Sequence, residues 1–255
     1  MLTHFSLFTG IGGLDLAAEW AGFETVGQCE WADYPTKVLE KHWPDVPRWR
    51  DIRSVTNESI REKGIKGITV LSGGFPCQPH SVAGERKASA DERDLWGEFV
   101  RVICETKPKW VLGENVSGLL TSEDGRFFGG ILRDLAGLGY YVGWSVYGAE
   151  RVGAFHKRDR VFIVANSKCS RLQIISKEPS NNRFPASTSL EHDCFKGILQ
   201  SDNRVWPSES EFRRVVNGVP NWMDRLKCLG NAVVPQQAYP IFQAIADIEN
   251  MEANQ

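Results

Sequence analysis

Seven residues constrain this chain more than any other stretch: Gly73-Gly74-Phe75-Pro76-Cys77-Gln78-Pro79. A run of strand formers, Ile68-Thr69-Val70-Leu71, leads into them. Two glycines then break the strand, and prolines stand before and after the cysteine. Two Gly and two Pro around one thiol cost helix and strand propensity. They make sense where the backbone must hold the sulfur in one place. A lone Cys is usually a buried packing residue, but these neighbours argue against that. The pattern predicts a tight, stiff turn at the end of a buried strand, where a parallel α/β sheet keeps its chemistry.

The chain before this turn reads as strand, turn and helix, twice over. Phe5-Ser6-Leu7-Phe8 is a short buried strand, Thr9-Gly10-Ile11-Gly12-Gly13 a glycine-rich turn, and Leu14 to Trp20 a helix closed by Gly22. Bare backbone in such a turn can approach a ligand, and helix N–H groups point at it. The spacing is not the full Gly-x-Gly-x-x-Gly of a dinucleotide site. Thr25 to Cys29 is a second strand with Glu30 at its end, placed to accept hydrogen bonds from ribose hydroxyls. Trp31 beside it can stack on a base. A helix from Tyr34 to His42 follows, ended by Pro44 and Pro47. Asp51-Ile52 then closes a third strand, where an Asp can meet an adenine amino group.

Beyond Cys77, residues 80–93 lack an apolar period and read as a mobile loop. Helical periodicity returns from Leu95 to Cys104. The strand Trp110-Val111-Leu112-Gly113 delivers Glu114-Asn115-Val116 to the crevice that holds Cys77. A helix from Phe127 to Leu138, a strand from Tyr141 to Tyr147 and a loop from Gly148 to Gly153 come next. Arg158-Asp159-Arg160 opens the strand Val161 to Val164; alternation on an edge strand would put both guanidinium groups on one face. Residues 166–221 lose all periodicity and read as an irregular insert. The last helix, from Gln236 to about Asn250, carries its apolar face on Ala238, Ile241, Phe242, Ile245 and Ile248 and should pack on the sheet.

Several classes are excluded. No stretch approaches the roughly 18 apolar residues of a membrane span, and the N-terminus shows no signal-peptide pattern. The six cysteines form no Cys-x-x-Cys pair, which speaks for cytoplasmic thiols and against a zinc site. A net charge of −2 does not advertise nucleic-acid binding. A nucleic-acid partner would need local positive charge. Candidate clusters are Arg48, Arg50 and Arg53; His156, Lys157, Arg158 and Arg160; Lys168 and Arg171; Arg213 and Arg214.

Taken in order, these motifs resemble those of the DNA (cytosine-5) methyltransferases. Gly74-Phe75-Pro76-Cys77-Gln78 matches the nucleophile motif, and Glu114-Asn115-Val116 the Glu-Asn-Val motif. Phe8-Thr9-Gly10-Ile11-Gly12-Gly13, Glu30-Trp31 and Asp51-Ile52 look like the cofactor motifs, and Gly230-Asn231-Ala232-Val233-Val234 like the last one. His156 to Arg160 matches Gln-x-Arg-x-Arg with His156 replacing Gln. The segment between Asn166 and the last motif is short for this family, whose sequence readers sit there.

The resemblance implies a Rossmann-like α/β fold of S-adenosylmethionine-dependent methyltransferases. Residues 1–165 would form the catalytic and cofactor-binding domain, 166–221 the target-recognition segment, and 222–255 a last motif and helix packing back. It implies S-adenosyl-L-methionine held by Phe8, Gly10, Gly12, Glu30, Trp31, Asp51, Ile52, Leu95, Asn231 and Ala232. No metal is implied. The partner would be double-stranded DNA, and the protein a cytoplasmic monomer without membrane contact. Carbon 5 of cytosine is a poor nucleophile until a thiolate adds to carbon 6, a role for Cys77. That addition needs ring nitrogen 3 protonated, a role for a buried, raised-pKa Glu114. Arg160 would stabilise charge at the base carbonyl, and Arg158 would orient Glu114. The alternatives are a tRNA cytosine-5 methyltransferase, an inactive DNA-binding relative, and a nucleotide-binding oxidoreductase. Intact Cys77, Glu114, Arg158 and Arg160 argue against the second, and the glycine spacing against the third.

Overall fold

The computed structural model describes residues 1–76, 89–167 and 228–253, with the backbone alone for 89–94. Cys77, the loop as far as residue 88, and residues 168–227 with their basic clusters lie outside the described residues.

Among the described residues, strands β1 (Thr3–Leu7), β2 (Glu24–Cys29), β3 (Arg48–Trp49), β4 (Val70–Gly73), β5 (Trp110–Val116), β6 (Tyr141–Tyr147) and β7 (Arg160–Asn166) form one sheet. Its order is β3-β2-β1-β4-β5-β7-β6. The described residues also form helices α1 (Gly13–Trp20), α2 (Asp33–His42), α3 (Asn57–Glu62), α4 (Ser89–Thr106), α5 (Arg126–Gly137) and α6 (Pro235–Ala253). Strands β1 to β5 pair in parallel, but β7 runs antiparallel to both β5 and β6. The parallel part of the sheet thus ends at β5, and β7 is inserted antiparallel between β5 and β6. The segment from β6 to β7 carries a 3-10 turn at Ala149–Val152 and no crossover helix, so the chain returns antiparallel. Since β7 lies between β5 and β6, it is no edge strand.

Alternation along the strands makes two cores, one on each face. Val111, Val161 and Ile163 face α4 and α5 and pack with Phe99, Ile103, Ile131 and Leu135. Leu112 and Phe162 face α1 and α6 and pack with Leu14, Ala17, Ile241, Phe242 and Ile245. The apolar stripe of the last helix thus covers the sheet, as its period predicts.

Several boundaries differ from the sequence pattern. Gly73 does not break β4 but ends it, and the strand begins at Val70 instead of Ile68. A Cβ on Gly73 would lie 2.9 Å from the Leu7 carbonyl oxygen, so glycine lets β1 and β4 pair at this level. Helix α4 begins at Ser89, inside the expected loop. Ser89-Ala90-Asp91-Glu92 has the Ser-x-x-Glu form of a helix start with acids in the first turn. The register aligns Leu7, Cys29, Gly73 and Gly113 in one row, so the loops after β1, β2, β4 and β5 open at the same edge.

Candidate active site

At the end of β1 the backbone turns through three left-handed residues: Phe8 (φ 52°), Gly10 (φ 58°) and Gly12 (φ 87°). A side chain on Gly10 would meet nothing within 4 Å, so the turn is open on that side. Gly12 and Gly13 are glycine for a different reason. A Cβ on Gly12 would lie 2.5 Å from the Trp43 ring, and one on Gly13 would lie 2.3 Å from the Val233 carbonyl oxygen. The last motif therefore packs against the first turn of α1. Glu30 follows β2, and its two carboxylate oxygens accept N–H groups from Gly10 (2.7 Å) and Ala32 (2.8 Å). Each oxygen keeps a further lone pair for a ligand hydroxyl. Trp31 is 70% exposed, free to stack on a ring. Asp51 Oδ1 accepts from the Arg53 N–H and Nε instead of standing open, Ile52 is buried, and Leu95 packs on the core. Asn231 is exposed and Ala232 half-buried. An open glycine turn, a fixed carboxylate and an exposed indole suit a nucleoside-bearing cofactor.

Glu114 projects from β5 on the α1 and α6 face, in step with Leu112. Antiparallel register sets Phe162 opposite Glu114 and Arg160 opposite Val116. Arg160 is thus the diagonal neighbour on the same face, within reach of a long side chain, and its Nε lies 3.0 Å from Glu114 Oε1. A Cβ on Gly74 would lie 3.1 Å from Glu114 Oε2, so the second glycine of the Gly-Gly turn makes room for the carboxylate. Glu114 is only 7% exposed. Burial pushes its pKa up to about 7, against the pull of Arg160 and Arg158.

Asn115 points to the opposite face. Its Nδ2 donates to the Phe75 carbonyl at 2.9 Å, and its Oδ1 accepts the Val116 N–H at 2.8 Å. Phe75 is packed against Trp96, with ring centroids 5.0 Å apart. The Gly-Phe-Pro turn is therefore held from both sides just before Cys77.

Arg158 does not orient Glu114 by hydrogen bonding, nor does it alternate with Arg160. It sits before β7 in a left-handed conformation (φ 41°), which turns its side chain away from strand alternation. Its guanidinium donates to the carbonyls of Gly230 (2.8 Å) and Ala232 (2.6 Å). It ties the last motif to the site and acts on Glu114 through space. Arg160 takes the contact expected of Arg158. Buried Gln237 secures the same region by donating to the carbonyls of Tyr147 (2.7 Å) and Arg158 (3.2 Å). The Arg48, Arg50 and Arg53 cluster is engaged internally: Arg48 with Gln28, Arg50 with Asp33, Arg53 with Asp51.

The sequence reading missed Asp15, Gln28, Thr9 and Gln237. An acid in the first turn of a helix reads as a surface residue, yet Asp15 is wholly buried. Its flanking Leu14 and Leu16 were the available signal.

The family model described as C-5 cytosine-specific DNA methylase matches residues 2–217. The chain is 34% identical over 195 residues to the type II methyltransferase M.BsuFI of Bacillus subtilis, covering 75% of this chain and 46% of that protein. It is 34% identical over 194 residues to M.NgoBI of Neisseria gonorrhoeae, covering 76% and 59%. The chain thus spans about half the length of these relatives. A prophage-encoded protein of E. coli, described as a DNA modification methyltransferase, superposes with a TM-score of 0.58 at 25% identity, covering 65% of this chain and 47% of that one.

Proposed function

The chain belongs to the C-5 cytosine-specific DNA methylase family, with the family's mixed α/β methyltransferase fold, and from that premise we propose that it transfers a methyl group from S-adenosylmethionine to carbon 5 of a cytosine in duplex DNA. The observation that carries this reading is the buried Glu114, with a pKa near 7, set against Arg160 behind the turn that leads to Cys77.

In this reading Cys77 adds its thiolate to carbon 6 of the base and makes carbon 5 nucleophilic; once carbon 5 carries the methyl group, its proton is lost to a solvent base and the Cys77–carbon 6 bond breaks to return the thiolate. Protonated Glu114 donates to ring nitrogen 3 as the negative charge develops. Arg160 fixes the carboxyl group through Nε and offers its remaining N–H groups to the base carbonyl. Asn115 holds the turn that presents Cys77, and Arg158 is a positioning residue for the last motif. S-adenosylmethionine, when bound, supplies an electrophilic sulfonium methyl group. Phe8, Gly10, Gly12, Glu30, Trp31, Asp51, Ile52, Leu95, Asn231 and Ala232 would hold it. The target cytosine must leave the helix stack, at a cost of about a few kcal/mol.

Residues 166–221 serve as the target-recognition segment beside a catalytic part formed by 1–165 and 222–255. The setting is cytoplasmic, as a modification enzyme of the restriction–modification type. The test is transfer of labelled methyl from S-adenosylmethionine to duplex DNA of mixed sequence, with base-resolution mapping of 5-methylcytosine. Wild type should label cytosines, and Cys77→Ala should label none. Labelling of tRNA with none of DNA would overturn the substrate.

A further inference from the structure

We infer that Asp15 is a positioning residue for the cofactor turn: from beneath, it fixes Phe8–Gly12 and the Glu30 end of β2 in one geometry without reaching the ligand. This rests on the cofactor reading above and deepens it.

Ser6 on β1 and Gln28 on β2 are register partners, and both side chains meet α1. Asp15, in the first turn of that helix, bridges them: its Oδ1 accepts from Ser6 Oγ at 2.9 Å and from Gln28 Nε2 at 3.0 Å. Ser6 has one proton, and giving it to Asp15 leaves its oxygen an acceptor. That oxygen lies 2.9 Å from Thr9 Oγ1 in the cofactor turn. Thr9 Oγ1 also accepts the Cys29 N–H at 3.2 Å, one residue before Glu30.

The other branch returns to the same turn. Gln28 Oε1 accepts from Arg48 Nε at 2.8 Å. Arg48 donates in turn to the carbonyls of Leu39 and Trp43. The Trp43 ring then lies against Gly12, where a Cβ would clash at 2.5 Å. The chain of contacts thus begins at Thr9 and ends at Gly12, bracketing the turn, with Asp15 at its middle.

Asp15 is fully buried, and its Oδ2 has no hydrogen-bond partner among the described residues. A buried carboxylate with neutral partners is a poor packing choice, and an apolar residue of similar volume would be cheaper beside Leu14, Ala17 and Ala18. Its persistence here is explained by the two strand ends it joins.

The experiment measures S-adenosylmethionine binding by calorimetry without DNA, with thermal unfolding and cofactor KM and kcat, for wild type, Asp15→Leu, Asp15→Asn and Ser6→Ala. Asp15→Leu should weaken binding about tenfold, raise cofactor KM by the same factor and leave kcat within about threefold, a split expected when only binding geometry is lost. Asp15→Asn keeps an acceptor oxygen toward Ser6 and Gln28 and should restore affinity to within about threefold of wild type. Equal affinity in wild type and Asp15→Leu would overturn the inference. If Asp15→Leu does not fold, Ser6→Ala decides, since it cuts the link to Thr9 and leaves the carboxylate in place; unchanged affinity there overturns it equally. A wild type that binds no cofactor overturns the functional reading itself, which separates the two failures.

Discussion

Arg160 and Glu114 meet at 3.0 Å although they are not opposite each other in the β5–β7 ladder. The pair is diagonal, so it forms only because both residues lie on one face, and β7 must start where it does for that to hold. Two influences oppose each other at the carboxyl group. Burial favours the neutral acid, and the guanidinium favours the carboxylate. Their balance leaves Glu114 close to half-protonated near neutral pH, where a proton donor is most effective.

The pH profile follows. If the protonated form donates to the base, kcat falls as pH rises through about 7. Arg160→Leu removes the charge that lowers the pKa, so the falling limb should move to higher pH. The maximal rate should drop by about 10²–10³, the usual loss of one charged transition-state contact. Methyl transfer measured from pH 5.5 to 9 checks both. A limb that shifts to lower pH in the variant would refute the assignment.

Stability should run against activity at the same residue. The folded pKa of Glu114, about 7, lies above its ordinary value of 4.5. The folded state therefore binds this proton more tightly than the unfolded chain. The stabilisation is complete below 4.5 and is lost as pH rises through 7. At pH 8 the ionised group costs roughly 3 kcal/mol, at 1.36 kcal/mol per pKa unit. Glu114→Gln, a permanently neutral isostere, should be inactive yet unfold at higher temperature than wild type at pH 8. The gap should close toward pH 5. Unfolding curves at the two pH values test this, and a variant less stable than wild type at pH 8 would count against it.

Asn115 offers a prediction about the turn. It satisfies the Phe75 carbonyl and the Val116 N–H with one amide. Asn115→Asp keeps the acceptor but aims a carboxylate oxygen at the Phe75 carbonyl. A buried unsatisfied pair costs about 1–3 kcal/mol, and the turn before Cys77 should loosen. Expected are a kcat loss of about 10², as for a catalytic group displaced by an ångström, and unchanged cofactor affinity. An equal loss in cofactor affinity would mean that Asn115 serves the whole sheet edge.

How much of this was legible depended on the range of the cause. Glu114 could be placed because the apolar run Trp110 to Gly113 marks its strand locally. The sequence pointed to Arg158 as its partner, while the contact belongs to Arg160, because the outcome hangs on the left-handed φ of Arg158 and on β7 starting at Arg160. Neither leaves a trace in periodicity. The glycines were legible as a turn, while the reason for two of them lies far along the chain, at Trp43 and Val233. Asp15 was invisible because its partners Ser6 and Gln28 come together only when β1 and β2 pair.

Gly13 provides the sharpest separation of local preference from long-range packing. It sits in α1 without a positive φ, so local propensity says that alanine should stabilise the helix by roughly 0.5–1 kcal/mol. Packing says the opposite. The new Cβ would lie 2.3 Å from the Val233 carbonyl oxygen, a main-chain atom that cannot rotate away. Gly13→Ala must therefore push the last motif off α1, and with it the Gly230 and Ala232 carbonyls that Arg158 holds. Overpacking of this kind costs about 1–3 kcal/mol, enough to outweigh the propensity gain. Gly10→Ala is the control: its Cβ meets nothing, and it bears only the strain of φ 58°, on the order of 1 kcal/mol. Gly13→Ala should lower the unfolding temperature more than Gly10→Ala does. The reverse order would mean that the last motif does not need its seat on α1.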